Sequence, residues 1–339
     1  MKKLLLIAVL LTLAATEARA QAAGAFSRMG FGARGVAMSN ALVADASGYA
    51  SPYYNPALAP FIPRQSLDAS AALMTLDREL QFLQFATPLR PRAGIAVGLI
   101  HAAVSDIDGR DGSGYHTQTF STDEYALFLA FGVRVARRVT VGFGFQFFLA
   151  DYFEGLDPVN SIGLDLGLNV EVTEAFHFGL AVDDMLARYS WDTSGLLGSS
   201  GRSTSDRFPT RLRLGGAYYL LGRQLLLTAE YESRFTSSEV RTRDVRLIGD
   251  TPREVFESER LTLHESRLRF GAEYQPMAAF AVRGGLDRLA DGDSGGVRPS
   301  TGFMIEQALG SLVARAEYAF VLEPYALGTM HLVTLRFFL

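Results

Sequence analysis

Few residues in this 339-residue chain are spaced for chemistry, and each such set has a competing explanation. Gly30-Phe31-Gly32-Ala33-Arg34-Gly35 matches G-x-G-x-x-G, in which glycines let a backbone approach a pyrophosphate at a helix start. No strand pattern precedes it and no acid follows about 20 residues on, so a dinucleotide is not expected. Gly292-Asp293-Ser294-Gly295-Gly296 offers a serine flanked by glycines, but it stands in an expected turn between strands, without the partners a nucleophile needs. Asp106, Asp108 and Asp111 present carboxylates that suit calcium, yet the bidentate Glu of the usual calcium loop is missing, and a solvated loop explains them as well. The five His are scattered, which leaves zinc without a ligand set, and zero Cys removes disulfides, thiolate sites and Cys nucleophiles. The expectation is therefore no catalytic residue, no metal and no cofactor: not an enzyme.

The remaining charges obey a different rule. In Arg267-Leu268-Arg269-Phe270-Gly271-Ala272-Glu273-Tyr274, charged and apolar residues alternate, the period of a strand whose two faces meet different surroundings. Leu268, Phe270 and Tyr274 share one face; Arg267, Arg269 and Glu273 share the other. The same reading puts Arg211, Arg213, Glu230, Glu232, Arg315, Glu317 and Arg336 on the charged face. Fourteen such runs, from 66–76 to 329–339, fill the chain after Gln65. Short connections at 89–92, 137–138, 173–174, 221–222, 276–277 and 310–311 alternate with mostly longer ones, notably 104–121, 187–207 and 234–260. An even strand count with sorted connections predicts an all-β fold: a transmembrane antiparallel β-barrel of about 14 strands, apolar faces in lipid and the charges lining the lumen. A soluble sandwich would reverse those faces, and the leader, the even count and the sorted loops weigh against it. The loops 187–207 and 234–260 are expected outside the cell and unpaired.

Residues 1–20 carry Lys2 and Lys3, an apolar run from Leu4 to Ala15, and Ala18-Arg19-Ala20 before Gln21, the layout of a cleaved secretory leader. The run is shorter than the roughly 20 residues a helical span needs. Overall, 36 acids against 32 basic residues leave a net charge of −4, which predicts no general attraction to nucleic acid or anionic lipid. Early strands differ from late ones: 125–131 and 139–149 are apolar or Gly on both faces, with Phe143, Phe145 and Phe147 on one side and Phe148 on the other. That part of the wall is read as greasy, lining a hydrophobic ligand or packed against something inside.

The stretch 29–59 is the exception to strand patterning. It is rich in Gly and Ala, holds one isolated cation, Arg34, and ends in Tyr54-Asn55-Pro56-Ala57, where Asn can cap a helix that Pro opens. Such a stretch has too few large apolar residues to be stable alone, so it is expected to pack inside the barrel with Arg34 as anchor among Glu230, Glu232, Glu273 and Glu317; the alternative is an Arg34 that faces water at the periplasmic rim. Gly30, Gly32, Ala33, Arg34, Met38, Ala41, Ala44 and Asp45, followed by Asn55-Pro56-Ala57-Leu58-Ala59, resemble the opening of mature outer-membrane proteins of the long-chain fatty-acid transporter (FadL-like) superfamily, the PorV/PorQ branch included. Ser39-Asn40 replace a Gly pair, one acid stands for two, and the Gly after Asn-Pro-Ala is missing. The final His331 to Leu339 run, with its closing aromatics, resembles the signal read by the barrel insertion machinery.

The resulting plan is a signal peptide at 1–20, an N-terminal plug or hatch at 21–64 with Arg34, Asp45, Asn55 and Pro56 as its key residues, and a barrel at 65–339. It places the chain in the outer membrane with both termini periplasmic, and gives it outer-membrane lipid and the insertion machinery as partners. The length resembles the PorV/PorQ branch, which implies secretion or surface handling of exported proteins with secretion-system components; the alternative is uptake of hydrophobic molecules such as long-chain fatty acids, with a hydrophobic ligand. No nucleic acid partner is expected.

Overall fold

The computed structural model describes residues 23–153, 155–248, 251–289, 296–322 and 328–339. The leader, Gly249 and most of the Gly292–Gly296 motif lie outside these residues. Fourteen antiparallel strands close into a barrel: β1 (Ser66–Met74), β2 (Arg78–Leu89), β3 (Ala93–Arg110), β4 (His116–Ala136), β5 (Val139–Asp151), β6 (Val159–Glu171), β7 (Phe176–Met185), β10 (Thr210–Leu220), β11 (Leu225–Ile248), β12 (Thr251–Met277), β13 (Phe280–Asp287), β14 (Arg298–Leu309), β15 (Leu312–Leu322) and β16 (Thr329–Phe338). Between β7 and β10 a separate two-stranded sheet forms from β8 (Arg188–Asp192) and β9 (Ser203–Arg207), so β7 pairs directly with β10. Closure runs from Ser66↔Phe338 to Met74↔Met330. No barrel strand is left with an open edge, the condition for strands in lipid, where an unpaired backbone N–H or C=O finds no water.

Alternation holds along the wall. β1 alternates buried and exposed residues with period two, and the outward row includes Leu83, Phe85, Val97, Leu99, Leu127, Leu129 and Phe131, each exposed. These apolar faces form the lipid side of an outer-membrane-type barrel. Among the described residues no helix is long and apolar enough to cross a membrane.

Three expected connections need correcting. The stretch 234–260 is not an unpaired loop: β11 and β12 stay paired to Ile248↔Thr251. Likewise β3 runs to Arg110 and β4 starts at His116, and 187–207 contains β8, β9 and a helical turn at Ser194–Leu197. Outside the membrane both faces of a hairpin meet water, so alternation vanishes from the sequence while the backbone groups still pair with each other.

Candidate functional site: the lumen and the segment packed within it

The N-terminal segment lies inside the ring of strands. It contains a 3-10 turn (Ala25–Arg28), the short helix α1 (Gly32–Ala37) and a second 3-10 turn (Pro56–Phe61). Asn55 Oδ1 accepts from Ala57 N at 2.9 Å, and Pro56 opens the turn.

Its path follows glycines in the wall. Ala37 faces Gly302 of β14, Ser39 Gly285 of β13, Met38 Gly271 of β12, and Val43 both Gly215 of β10 and Gly179 of β7; Asn55, Pro56 and Ala59 continue past Gly167, Gly142, Gly132 and Gly94 on β6 to β3. The segment thus traces an arc around the inside of the wall. A Cβ on Gly132 would sit 2.5 Å from Pro56 O, and one on Gly285 2.6 Å from Ser39 N. Glycine there is a matter of space: backbone meets backbone. The ends of the segment reach different levels. Gly24 abuts Phe208, just before β10 at the long-connection end, whereas Phe61 lies by His177 and Arg134 at the short-turn end, where Leu339 N donates to Gln65 O at 2.9 Å.

Arg34, on α1, is buried and donates from Nε and Nη2 to Glu273 of β12, each at 2.9 Å, and from Nη1 to Asp45 at 2.5 Å. Asp45 also accepts from Tyr219 OH at 2.9 Å and Ser47 N at 3.0 Å. The fork thus ties the segment to itself and to the wall with bidentate geometry. Glu230 and Glu232 do not reach Arg34. They take Arg269 Nη1 at 2.9 and 3.0 Å, while Glu230 also accepts Val43 N at 3.0 Å. Glu317 faces Arg283 at 3.4 Å, and Arg283 donates to Glu273 at 2.5 Å. Arg211 pairs with Asp184 at 3.0 Å; Arg213 takes Asp183 at 2.6 Å and Tyr54 O at 2.5 Å. Arg315 reaches Glu306 at 2.6 Å, and Arg336 bridges Asp68 at 2.8 Å and Tyr49 O at 2.9 Å. Arg267 is only partly buried, 3.9 Å from Glu265.

Asn55 does more than cap. Fully buried, its Nδ2 faces Val43 O at 2.7 Å, Leu168 O at 3.1 Å and Leu180 O at 3.4 Å, joining two parts of the segment to β6 and β7. Further ties run from Ala33 N to Thr334 Oγ1 at 2.8 Å, Ser300 Oγ to Ala37 O at 2.9 Å, and Asn169 Nδ2 to Ala44 O at 3.1 Å.

Sequence reasoning missed Asp68, Arg283 and Asp287, which the strand registers would have placed inward, and the pair Asp183 and Asp184. Alternation sends only one of two neighbours inward. Asp184 adopts φ 59°, and this local kink lets both bury. Elsewhere, two of the three candidate calcium carboxylates are otherwise engaged: Asp108 accepts from Arg110 Nε at 2.8 Å with His116 Nδ1 at 2.6 Å, and Asp111 accepts from Ser113 N at 2.8 Å. Among the described residues no group of three His, Cys, Asp or Glu is placed to hold a metal.

The opposite wall is apolar. Phe31 meets Phe82 at 5.0 Å and Phe128 at 5.3 Å between ring centres, Tyr53 meets Phe128 at 5.1 Å, and Phe26 meets Phe148 at 6.5 Å. At the long-connection end this cluster continues through Phe208 and Tyr189 to Trp191 of β8. Two cavities of ≈ 10 Å³ beside Tyr49 and Arg336 each hold roughly one water.

No protein-family profile and no curated protein matches the chain. By structure it is similar to the Pseudomonas putida toluene transporter TodX, with TM-score 0.59 and 12% identity over 91% of this chain and 96% of that one. The CymD monoaromatic hydrocarbon channel (TM-score 0.53, 14% identity, 91% and 96%) and a Pseudomonas aeruginosa FadL homologue (0.53, 12%, 91% and 98%) are similar as well. The fold is that of the FadL-type barrels. At these identities the likeness is one of architecture, and it gives the PorV/PorQ branch no support of its own.

Proposed function

We propose that this chain is an outer-membrane channel for the uptake of hydrophobic small molecules, with residues 21–64 as its plug. The observation that carries the reading is the match over 91% of the chain to barrels named as a toluene transporter, a monoaromatic hydrocarbon channel and a FadL homologue. The lumen agrees with it chemically. Aromatic side chains on β2, β4 and β5 offer an apolar solute a largely uncharged wall, and the plug meets them through rings rather than ion pairs. The two cavities beside Tyr49 and Arg336, ≈ 10 Å³ each, are far smaller than such a solute, and in this reading the plug shifts to let it pass. In this reading the short turns and Leu339 face the periplasm and the long connections face outward.

The secretion reading rests on the sequence resemblance to PorV/PorQ proteins, and no contact in the lumen favours it. Expression in a host lacking its own hydrocarbon and fatty-acid channels tests the choice. Faster uptake of a labelled long-chain fatty acid or of toluene is expected; unchanged uptake of both by a correctly inserted barrel would sink the proposal. A tag near Ser200 should be reachable on intact cells, and labelling only after the outer membrane is broken reverses the topology.

A further inference from the structure

At its short-turn end the lumen opens past cations that neither the wall nor the plug neutralises. Strand parity fixes where they point. Leu129 and Phe131 of β4 are exposed on the outer face, so Arg134 takes the inner row, and its guanidinium lies over the plug residue Phe61, 5.4 Å from the ring centre. Arg92 stands beside it, its carbonyl accepting Arg134 N at 2.8 Å, and Arg138 lies 4.0 Å from Glu171 of β6. Further round the mouth Arg223 lies 4.0 Å from the ring centre of buried Tyr219, and Arg64, just before β1, 4.9 Å from that of buried Phe338. All five arginines are exposed.

Deeper in the lumen the same residue type is paired: Arg34, Arg211, Arg213, Arg269 and Arg336 each meet a carboxylate within 3.0 Å. At the mouth no described carboxylate pairs with Arg64, Arg92, Arg134 or Arg223, in a chain whose net charge is −4. On the turns Arg90 and Arg137 add two exposed cations and Glu174 one exposed acid, while Arg315 is taken by Glu306 at 2.6 Å. We infer that this mouth is a docking surface for a soluble protein with an acidic face. The cations are spread over the start of β1 and the β2–β3, β4–β5 and β10–β11 connections. A single anionic group meets one or two of them, whereas a face bearing several Asp or Glu meets them together. Each guanidinium can pair a carboxylate through two N–H groups, and those resting on Phe61, Tyr219 and Phe338 are already held in place, so little freedom is lost on docking. Complementary charge also steers such a partner to the end of the lumen. The surface does not depend on which solute the lumen carries, and in the orientation proposed above the partner is periplasmic.

The test uses the full-length barrel in phosphatidylcholine nanodiscs, with poly-L-glutamate as the probe and binding read by biolayer interferometry. Wild type should bind the probe, less tightly as salt rises, and R92Q/R134Q/R138Q/R223Q should bind about tenfold or more weakly. R188Q/R207Q, which removes two exposed arginines from the β8–β9 sheet, should match wild type. Heat-modifiable migration checks that each variant is folded. In producing cells, a photo-crosslinking side chain at Leu221 should give a discrete adduct with an acidic protein, and the quadruple variant should lose it. Equal binding of poly-L-glutamate by all three proteins, or no arginine-dependent adduct, overturns the proposal. Displacement of the probe by dodecanoate at equal carboxylate concentration would reassign the cations to the headgroup of a transported anion. Retention of phosphatidylglycerol over phosphatidylcholine that the quadruple variant loses would reassign them to lipid. Uptake is not read in these measurements, so their failure and that of the channel reading are separate.

Discussion

The inner wall has two arcs. From β7 through β10 and on to β16 and β1 it is a run of buried ion pairs: Asp183 with Arg213, Arg269 with Glu230 and Glu232, Arg34 with Glu273, Arg336 with Asp68. From β2 to β5 it is largely aromatic and aliphatic, with Phe82, Ile100, Phe128 and Phe148 all buried. The plug touches both but is held by them differently. On the charged arc each ion pair is directional and removing one partner strands a buried charge, whereas on the apolar arc, apart from the Ser51–Gln84 hydrogen bond, the side-chain contacts are mainly dispersion and area, which tolerate sliding. Under the proposed uptake function the difference assigns tasks: one arc would fix the position of the plug, and the other would provide the surface along which a hydrophobic solute passes.

The largest expected effect is on the charged arc. Arg34→Ala leaves Asp45 and Glu273 buried without that cation and should cost roughly 3–5 kcal/mol of plug anchoring. Single-channel recordings in planar bilayers should show a leakier pore than wild type, with 21–64 more sensitive to protease and the barrel still heat-modifiable. Equal conductance and equal protease sensitivity would mean that the ion pair does not hold the plug. On the apolar arc, Phe128→Ala should cost about 3 kcal/mol by leaving a cavity. The signature differs: hydrophobic uptake should change while ion conductance stays near the wild-type value. A large ionic leak instead would erase the distinction between the arcs.

Two smaller changes sharpen it. Capping alone predicts that Asn55→Ala costs about 1 kcal/mol. Because Nδ2 also serves carbonyls of the plug, β6 and β7, about 2 kcal/mol is the better figure, visible as faster hydrogen exchange in 43–61. Exchange confined to 55–61 would show that only the cap counts. Tyr219→Phe removes one hydroxyl donor from Asp45 and should cost about 1 kcal/mol. In an Arg34→Ala background its effect on conductance should shrink, since both act through Asp45; full additivity would show that Tyr219 and Arg34 hold the plug independently.

Sequence alone determined the strands and their faces, because alternation is a local property that each residue reports about its own side of the sheet. All fourteen barrel strands, the antiparallel closure and the inward row from Arg211 to Arg336 were legible that way. What alternation cannot report is partnership. That Arg34 meets Glu273 and Asp45 rather than Glu230 or Glu232 depends on where the plug crosses strands more than 200 residues away in sequence, and the glycines of β3 to β14 look like ordinary strand glycines until a backbone is laid against them. The extended hairpin of β11 and β12 escaped for a related reason: with water on both faces its side chains carry no pattern, and only the backbone pairing between two distant runs reveals it. Local periodicity is written residue by residue, but which charge neutralises which, and which glycine makes room for which peptide, is settled only when the barrel closes around the plug, because each such contact requires two segments brought together by the fold.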